Sequence, residues 1–202
     1  LDSDLGFISE LNDLPGVERE LQAISSVWGA ERSKIFLNEN FTKKSLKILG
    51  ALRPRILALS THSIPSEGHA DLNSLALLLY PESLDQPNSI FLTPEDIFDL
   101  NLRADYVVLS ACETYDRKPL TSNSSNSLLT SFLLNSSKEI LVSLWPIEDL
   151  ATSYFMTEIV KALASDKINS MVEAHQQAIA SMIRNGYDNP LQWASFIIVG
   201  SQ

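Results

Sequence analysis

The sequence predicts an α/β domain built as a three-layer sandwich, with a mostly parallel six-stranded sheet and helices on both faces. Short apolar runs rich in β-branched residues alternate with segments of helical period, which is typical of this fold class. Several runs, such as YVVLS and ILVSL, are apolar without interruption, as strands buried on both faces are. The six predicted strands cover residues 34–37, 56–60, 75–80, 106–110, 140–144 and 196–199.

The first two predicted helices have recognisable ends. One ends at Gly29 and carries an apolar stripe made of Val17, Leu21, Ile24 and Trp28. Another begins where Thr93 supplies an N-cap and Pro94 occupies the first helical position. The capping residues and the apolar periodicity therefore agree on where these helices lie.

Two more helices are predicted after the fifth strand. One has an apolar face made of Ala151, Phe155, Ile159 and Leu163. Ser170 and Glu173 match a capping box, which opens a last helix that ends at Gly186. The final predicted strand follows this helix.

The composition favours a globular domain of the cytoplasm, with a basic partner or substrate more plausible than nucleic acid. The chain has 202 residues, 45% of them hydrophobic, and no apolar run approaches the roughly 20 residues that span a bilayer, so we expect no membrane partner. A net charge of −10, with 15 scattered Lys and Arg residues, predicts that no nucleic acid is contacted directly. A single cysteine excludes an internal disulfide and suits a reducing cytosol.

Residues 14–202 are predicted to form one domain without internal repeats. Residues 1–13 carry little pattern, and we interpret them as a linker from an upstream region. The polar stretch 113–126, ETYDRKPLTSNSSN, is predicted to be a surface loop within the domain because of its Ser, Asn and Thr density.

A histidine and the cysteine follow two of the predicted strands. His62 follows RILALST, and Cys112 follows YVVLSA, so both side chains are expected at the carboxyl edge of the sheet. An imidazole that takes the proton of a thiol makes it an effective nucleophile, and the backbone amides of Ser63 and Cys112 are the predicted oxyanion donors. The alternative is a buried core cysteine and a structural histidine, which residue types alone leave open.

No metal or cofactor site is predicted. Three histidines and one cysteine lack metal-type spacing, and no glycine-rich phosphate loop is present. His175 lies on the last helix near its apolar face, where we expect a packed or boundary residue.

Four ordered motifs, preceded by an LPG opening at residues 14–16, resemble the CHAT family, a branch of the caspase and separase clan of cysteine peptidases. They are LSTH at 59–62, VVLSACET at 107–114, SLWPIED at 143–149 and PLQWASFIIVG at 190–200. The resemblance covers nearly the whole chain. It implies a caspase-like fold, and the 50-residue interval from His62 to Cys112 is similar to that of caspases.

The resemblance implies a cysteine endopeptidase in which His62 acts as base and then as acid while Cys112 attacks the scissile carbonyl. This chemistry needs no cofactor. Because CHAT domains commonly follow tetratricopeptide or other sensor regions in bacterial proteins, it also implies a protein substrate and regulation by an upstream domain or partner protein. The family usually has glycine where Ser63 and Tyr115 stand, which motivates the alternative of a catalytically inactive interaction module.

Two acidic residues near the predicted site are candidates for substrate binding. By analogy with relatives that cleave after Arg or Lys, Asp105 and Glu113 form an acidic pocket for a basic P1 side chain. The alternative is that Asp105 ends a loop before its strand and that Glu113 is a solvated or structural residue.

Overall fold

The computed structural model describes residues 8, 11, 13–66, 72–83, 87–110, 128–145, 149–165 and 167–200. Its helices are α1 Pro15–Trp28, α2 Lys43–Leu52, α3 Pro94–Asp99, α4 Leu128–Leu134, α5 Asp149–Ala164 and α6 Met171–Arg184. Its strands are β1 Ile56–Leu59, β2 Ser63–Ile64, β3 Ala76–Leu78, β4 Phe91–Leu92, β5 Tyr106–Leu109, β6 Glu139–Ser143 and β7 Phe196–Gly200. The predicted α/β class is confirmed.

The central sheet has four strands in the order β1-β5-β6-β7. Strands β1, β5 and β6 are parallel, whereas β7 runs antiparallel to β6. Leu59 pairs with Leu109, so β1 and β5 end level with each other. The sheet is thus smaller than the six strands predicted, because the other two candidates do not join it.

A second, antiparallel sheet with the order β2-β3-β4 contains the predicted strand at 75–80. Residues 33–37, which include the predicted first strand, form no ladder, although Ser33 and Leu37 have extended backbones. An apolar run with β-branched residues favours an extended chain, but only a partner at the right distance turns it into a strand.

Helices cover both faces of the central sheet, as predicted. Alternate residues of β5 point to opposite faces: Val107 and Leu109 pack with Leu46 of α2, Ile97 of α3 and Phe132 of α4. Tyr106 and Val108 pack on the other face, mainly with residues of α5 and α6 such as Phe155, Met156, Met171 and Met182. The core therefore consists of two apolar layers that share one sheet.

The helix ends follow the sequence signals closely. Helix α1 stops at Gly29, whose φ of 81° suits glycine. Thr93 and Asp96 form a reciprocal capping box with Pro94 at the first helical position. The predicted face of α5 is fully buried at Ala151, Phe155, Ile159 and Leu163. None of the helices in the described ranges is long and apolar enough to cross a membrane.

The N-terminus of helix α6 is capped partly by a residue that is distant in the sequence. Ser170 accepts a hydrogen bond from the Val172 amide, as an N-cap should. The Met171 amide donates to Oε2 of Glu139 at 2.7 Å, and Glu139 begins β6. Glu139 thus satisfies the first turn of α6 and ties it to the sheet, while Glu173 stays exposed.

Candidate active site

The carboxyl ends of β1 and β5 lie side by side. The Ser110 amide donates to the Leu59 carbonyl at 3.0 Å, which continues the parallel pairing one residue beyond β5. His62 follows Ser60 by two residues, and Cys112 follows Ser110 by two residues. The structure therefore brings the chain before Cys112 close to the chain before His62, while Cys112 itself lies outside the described residues.

His62 is half-buried and sits between the central sheet and the antiparallel sheet. Its carbonyl accepts a hydrogen bond from the Leu78 amide at 2.9 Å. The neighbouring Thr61 hydroxyl donates to the Leu78 carbonyl at 2.8 Å. These hydrogen bonds hold the backbone of residues 61 and 62 against β3, and this backbone carries the imidazole.

The backbone amide of Ser63 is oriented away from β3. In an antiparallel ladder, hydrogen-bonded and non-hydrogen-bonded pairs alternate along the strands. Since Leu78 bonds the carbonyl of His62, the next pair, Ser63 with Leu77, is of the non-hydrogen-bonded kind. The Ser63 amide therefore takes no part in the hydrogen bonds between β2 and β3.

Glu20 of α1 bridges the two strand ends. Its carboxyl group is buried, with 4% of the residue exposed. Its Oε1 accepts a hydrogen bond from the Ser110 hydroxyl at 2.9 Å and another from the Ser60 hydroxyl at 3.2 Å. One side chain thus contacts both segments that lead to the predicted dyad.

A groove of about 1190 Å³ lies beside β1, and its lining includes Ser60, Thr61 and His62. Residues of helix α1, residues 33–37 and residues 78–81 also line it. The groove is partly open to solvent and large enough to admit a segment of polypeptide.

The structure places Asp105 at the other end of β5, next to the strand's first residue. Its carboxylate lies 3.4 Å from Nζ of Lys138 and is half exposed. Four strand residues separate it from Ser110, so the two Cα atoms lie roughly 16 Å apart at about 3.3 Å per residue. Asp105 is therefore not brought together with His62 and instead ends a loop before its strand. Glu113, its predicted companion, lies outside the described residues.

His175 is a packed residue, as expected. Its Nε2 lies 3.0 Å from the Phe196 carbonyl, and its ring meets Phe155 edge to face at 5.6 Å. Burial lowers the pKa of His175 below its ordinary value, although the bond to Phe196 opposes this. Among the described residues, no three His, Cys, Asp or Glu side chains are grouped as metal ligands would be.

Sequence reasoning missed Glu20, Ser60 and Ser110. One signal pointed to Glu20, because it lies four residues before Ile24 and shares that apolar face of α1 despite its charge. The serines are the last residues of two predicted strands, in LST and LSA. Only the three-dimensional pairing of β1 with β5 shows that these three side chains meet.

The arrangement is that of an α/β domain with polar side chains at the carboxyl ends of adjacent parallel strands. Comparison with protein families makes this specific: the CHAT domain model matches residues 4–201, and the chain belongs to the CHAT domain family. CHAT domains are a caspase-like family of clan CD, so the expected kinship with cysteine peptidases is supported.

Two curated relatives are mammalian proteins named tetratricopeptide repeat protein 28. The human protein is 27% identical over 113 residues, which cover 55% of this chain and 4% of the relative. The mouse protein is 26% identical over a match of the same extent. The matched segment thus spans only a small part of the length of these relatives.

Proposed function

We propose that this chain is a cysteine endopeptidase domain whose catalytic dyad is His62 and Cys112. The contact of Ser60 and Ser110 with one oxygen of Glu20 carries the proposal. Each dyad residue lies two positions beyond one of these serines, and two residues of chain reach at most about 7 Å. This geometry supports a meeting of the two side chains.

The proposed reaction begins when His62 takes the proton of the Cys112 thiol. The sulfur bonds to the scissile carbonyl carbon, and the carbonyl electron pair moves to the oxygen. When the tetrahedral intermediate collapses, the C–N bond breaks and the leaving amine takes the proton from His62. A water molecule, deprotonated by His62, then hydrolyses the thioester and restores the thiol.

The backbone amides of Ser63 and Cys112 are the proposed donors to the oxyanion. The orientation of the Ser63 amide away from β3 supports its part in this role. Ser63 also adopts a strand conformation and is not among the residues with positive φ. The backbone at this position therefore does not require the glycine that is usual in the family.

The groove beside β1 supports a peptide as the ligand. His62 belongs to its lining, which also includes acidic and basic side chains. We propose that regulation comes from a tetratricopeptide-type or other sensor region, because the named relatives are tetratricopeptide repeat proteins. The polar stretch 113–126 directly after Cys112 is the proposed place where such a partner controls access.

A second candidate is an interaction module without peptidase activity. Ser63 and Tyr115, which replace the usual glycines, favour it because added side chains narrow a substrate cleft. The two candidates differ in thiol chemistry: a catalytic Cys112 reacts faster than a free thiol in a His62-dependent way, and a packed thiol does not.

The deciding experiment is peptide cleavage together with thiol alkylation. The full-length protein, with and without candidate sensor partners, is incubated with peptide libraries that have basic, acidic or apolar P1 residues. We expect cleavage that is abolished in Cys112→Ala and reduced by about 10²-fold or more in His62→Ala. Iodoacetamide labelling is quantified on the peptide that contains Cys112, the single cysteine of these 202 residues.

The matched control is His175→Gln, which removes an imidazole that packs beneath β7, away from the end of β1. It should cleave and label like the parent protein. If the parent cleaves nothing under any condition and Cys112 labels no faster than free cysteine, the interaction module replaces the peptidase.

A further inference from the structure

Glu20 is an acidic residue on the buried side of an otherwise amphipathic helix. Nearby Glu18 and Arg19 are exposed, whereas Glu20 is 4% exposed and lies one turn before Ile24, which packs against the α5 and α6 layer. Burying a carboxyl group costs free energy unless hydrogen bonds compensate for its lost hydration. Its presence here therefore calls for partners, and the strand ends provide them.

The partners of Glu20 belong to separate strands. The Ser60 hydroxyl, just beyond β1, and the Ser110 hydroxyl, just beyond β5, donate to the same oxygen at 3.2 Å and 2.9 Å. Within the described residues, the last backbone bond between the two chains runs from the Ser110 amide to the Leu59 carbonyl. Glu20 thus joins the two chains at this same level by its side chain.

We propose that Glu20 is a positioning residue, which fixes the separation of His62 and Cys112 by holding both strand ends through one carboxyl oxygen. This inference rests on the proposed peptidase function. Without the bridge, each dyad residue moves with its own loop, and the imidazole and the thiol spend less time within reach of each other. A misplacement of about 1 Å can reduce a rate by about 10²-fold.

The proposal depends on the Glu20 oxygen that accepts hydrogen bonds from both serines. Glu20→Gln keeps a side-chain carbonyl oxygen of similar reach, so it can still accept from both serines. Glu20→Ala removes the acceptor, and the double variant Ser60→Ala/Ser110→Ala removes both donors while Glu20 stays. Together, these three variants distinguish the effect of the two hydrogen bonds from other effects of changing the side chain at position 20.

The test measures kcat and KM for the best peptide substrate in the full-length protein, together with the iodoacetamide labelling rate of Cys112. We expect Glu20→Ala and the double serine variant to lower kcat by about 10-fold to 10²-fold with little change in KM. Glu20→Gln should recover most of this loss. Arg19→Gln is the control on the same helix, since Arg19 is exposed and is not among the residues that line the groove.

Thermal unfolding shows whether each variant is folded. If Glu20→Ala is not folded, the double serine variant provides the test instead. If Glu20→Ala, or the double serine variant where Glu20→Ala does not fold, has the kcat of the parent, the positioning role is overturned. The peptidase proposal is then unaffected. Equal losses in Glu20→Gln and Glu20→Ala also overturn it, because the charge and not the acceptor then matters. If the parent protein shows no His62-dependent cleavage, the peptidase proposal is rejected. The positioning role of Glu20 is rejected with it.

Discussion

His175 shows how one packed side chain makes the stability of this domain depend on pH. Burial lowers its pKa in the folded protein, while the unfolded chain has an ordinary value of about 6.5. Between these two values the unfolded state binds more protons than the native state. The free energy of unfolding should therefore fall as the pH drops below about 6.5, until the pH reaches the lowered pKa.

The variant His175→Gln should remove this part of the pH dependence. Glutamine does not titrate, and its amide can still donate to the Phe196 carbonyl, which His175 contacts at 3.0 Å. Urea unfolding at several pH values between 5 and 8 gives the slope for the parent and the variant. Parallel pH profiles for the two proteins would show that His175 is not responsible.

Individual residues were predictable only where the chain itself dictates their place. His62 follows a strand, so its position at the sheet edge could be predicted from the strand alone. Glu20 could not, because its role depends on two serines that lie 40 and 90 residues away. Asp105 was assigned to the site because of its charge, yet the direction of β5 places it at the opposite end.

At the scale of elements, the packing of α2 depends on a glycine. Gly50 is buried where the helix touches the turn after α3, and a Cβ there would meet the carbonyl oxygens of Leu100 and Asn101, the latter at 2.9 Å. Helix propensity alone predicts that Gly50→Ala stabilises the protein by about 1 kcal/mol. Backbone oxygens cannot move aside as flexible side chains do. We therefore expect the destabilising contact to outweigh the gain in helix propensity.

We expect Gly50→Ala to lower the free energy of unfolding by about 1 to 3 kcal/mol, the usual cost of overpacking. Urea denaturation at neutral pH measures the change. Ala51→Gly in the same helix is the control, because Ala51 is exposed and should show only the propensity cost of about 1 kcal/mol. A more stable Gly50→Ala variant would mean that α2 shifts away from the turn freely.

Elements with a clear apolar period or capping signal were predicted, whereas α2, α4 and the shortest strands were not. The 16-residue α5 has four predicted core positions, all buried, because several turns reinforce one periodic pattern. Strands β2 and β4 have two residues each, too few for any period to be detected. Residues 34–37 have the composition of a strand, but ladder formation depends on a neighbour that composition does not reveal.

For the whole molecule, the central sheet couples two apolar layers into one unit. Val107 and Leu109 face the layer of α2, α3 and α4, while Tyr106 and Val108 of the same strand face the layer that includes α5 and α6. If one layer melted alone, half of the side chains on β5 and β6 would be exposed to water. The two layers should therefore unfold together, although they do not share side chains.

Cavity variants on the two faces test this coupling. Phe132 of α4 and Phe155 of α5 are both fully buried, and Phe155 stacks on Phe196 at 4.5 Å. Phe132→Ala and Phe155→Ala should each lower the free energy of unfolding by about 3 to 5 kcal/mol. Leu134→Ala is the control on α4, because Leu134 is 71% exposed and its loss should cost at most about 0.5 kcal/mol.

The shape of the unfolding curve distinguishes one unit from two. Far-UV circular dichroism follows the helices of both layers, and tryptophan fluorescence follows Trp28, Trp145 and Trp193. If the sheet couples the layers, both probes give one coincident transition in each variant, displaced to lower temperature. If Phe132→Ala instead splits the curve, with the α5 and α6 layer melting at the parent temperature, the two faces are independent. The sheet edge that carries His62 would then depend on only one of them.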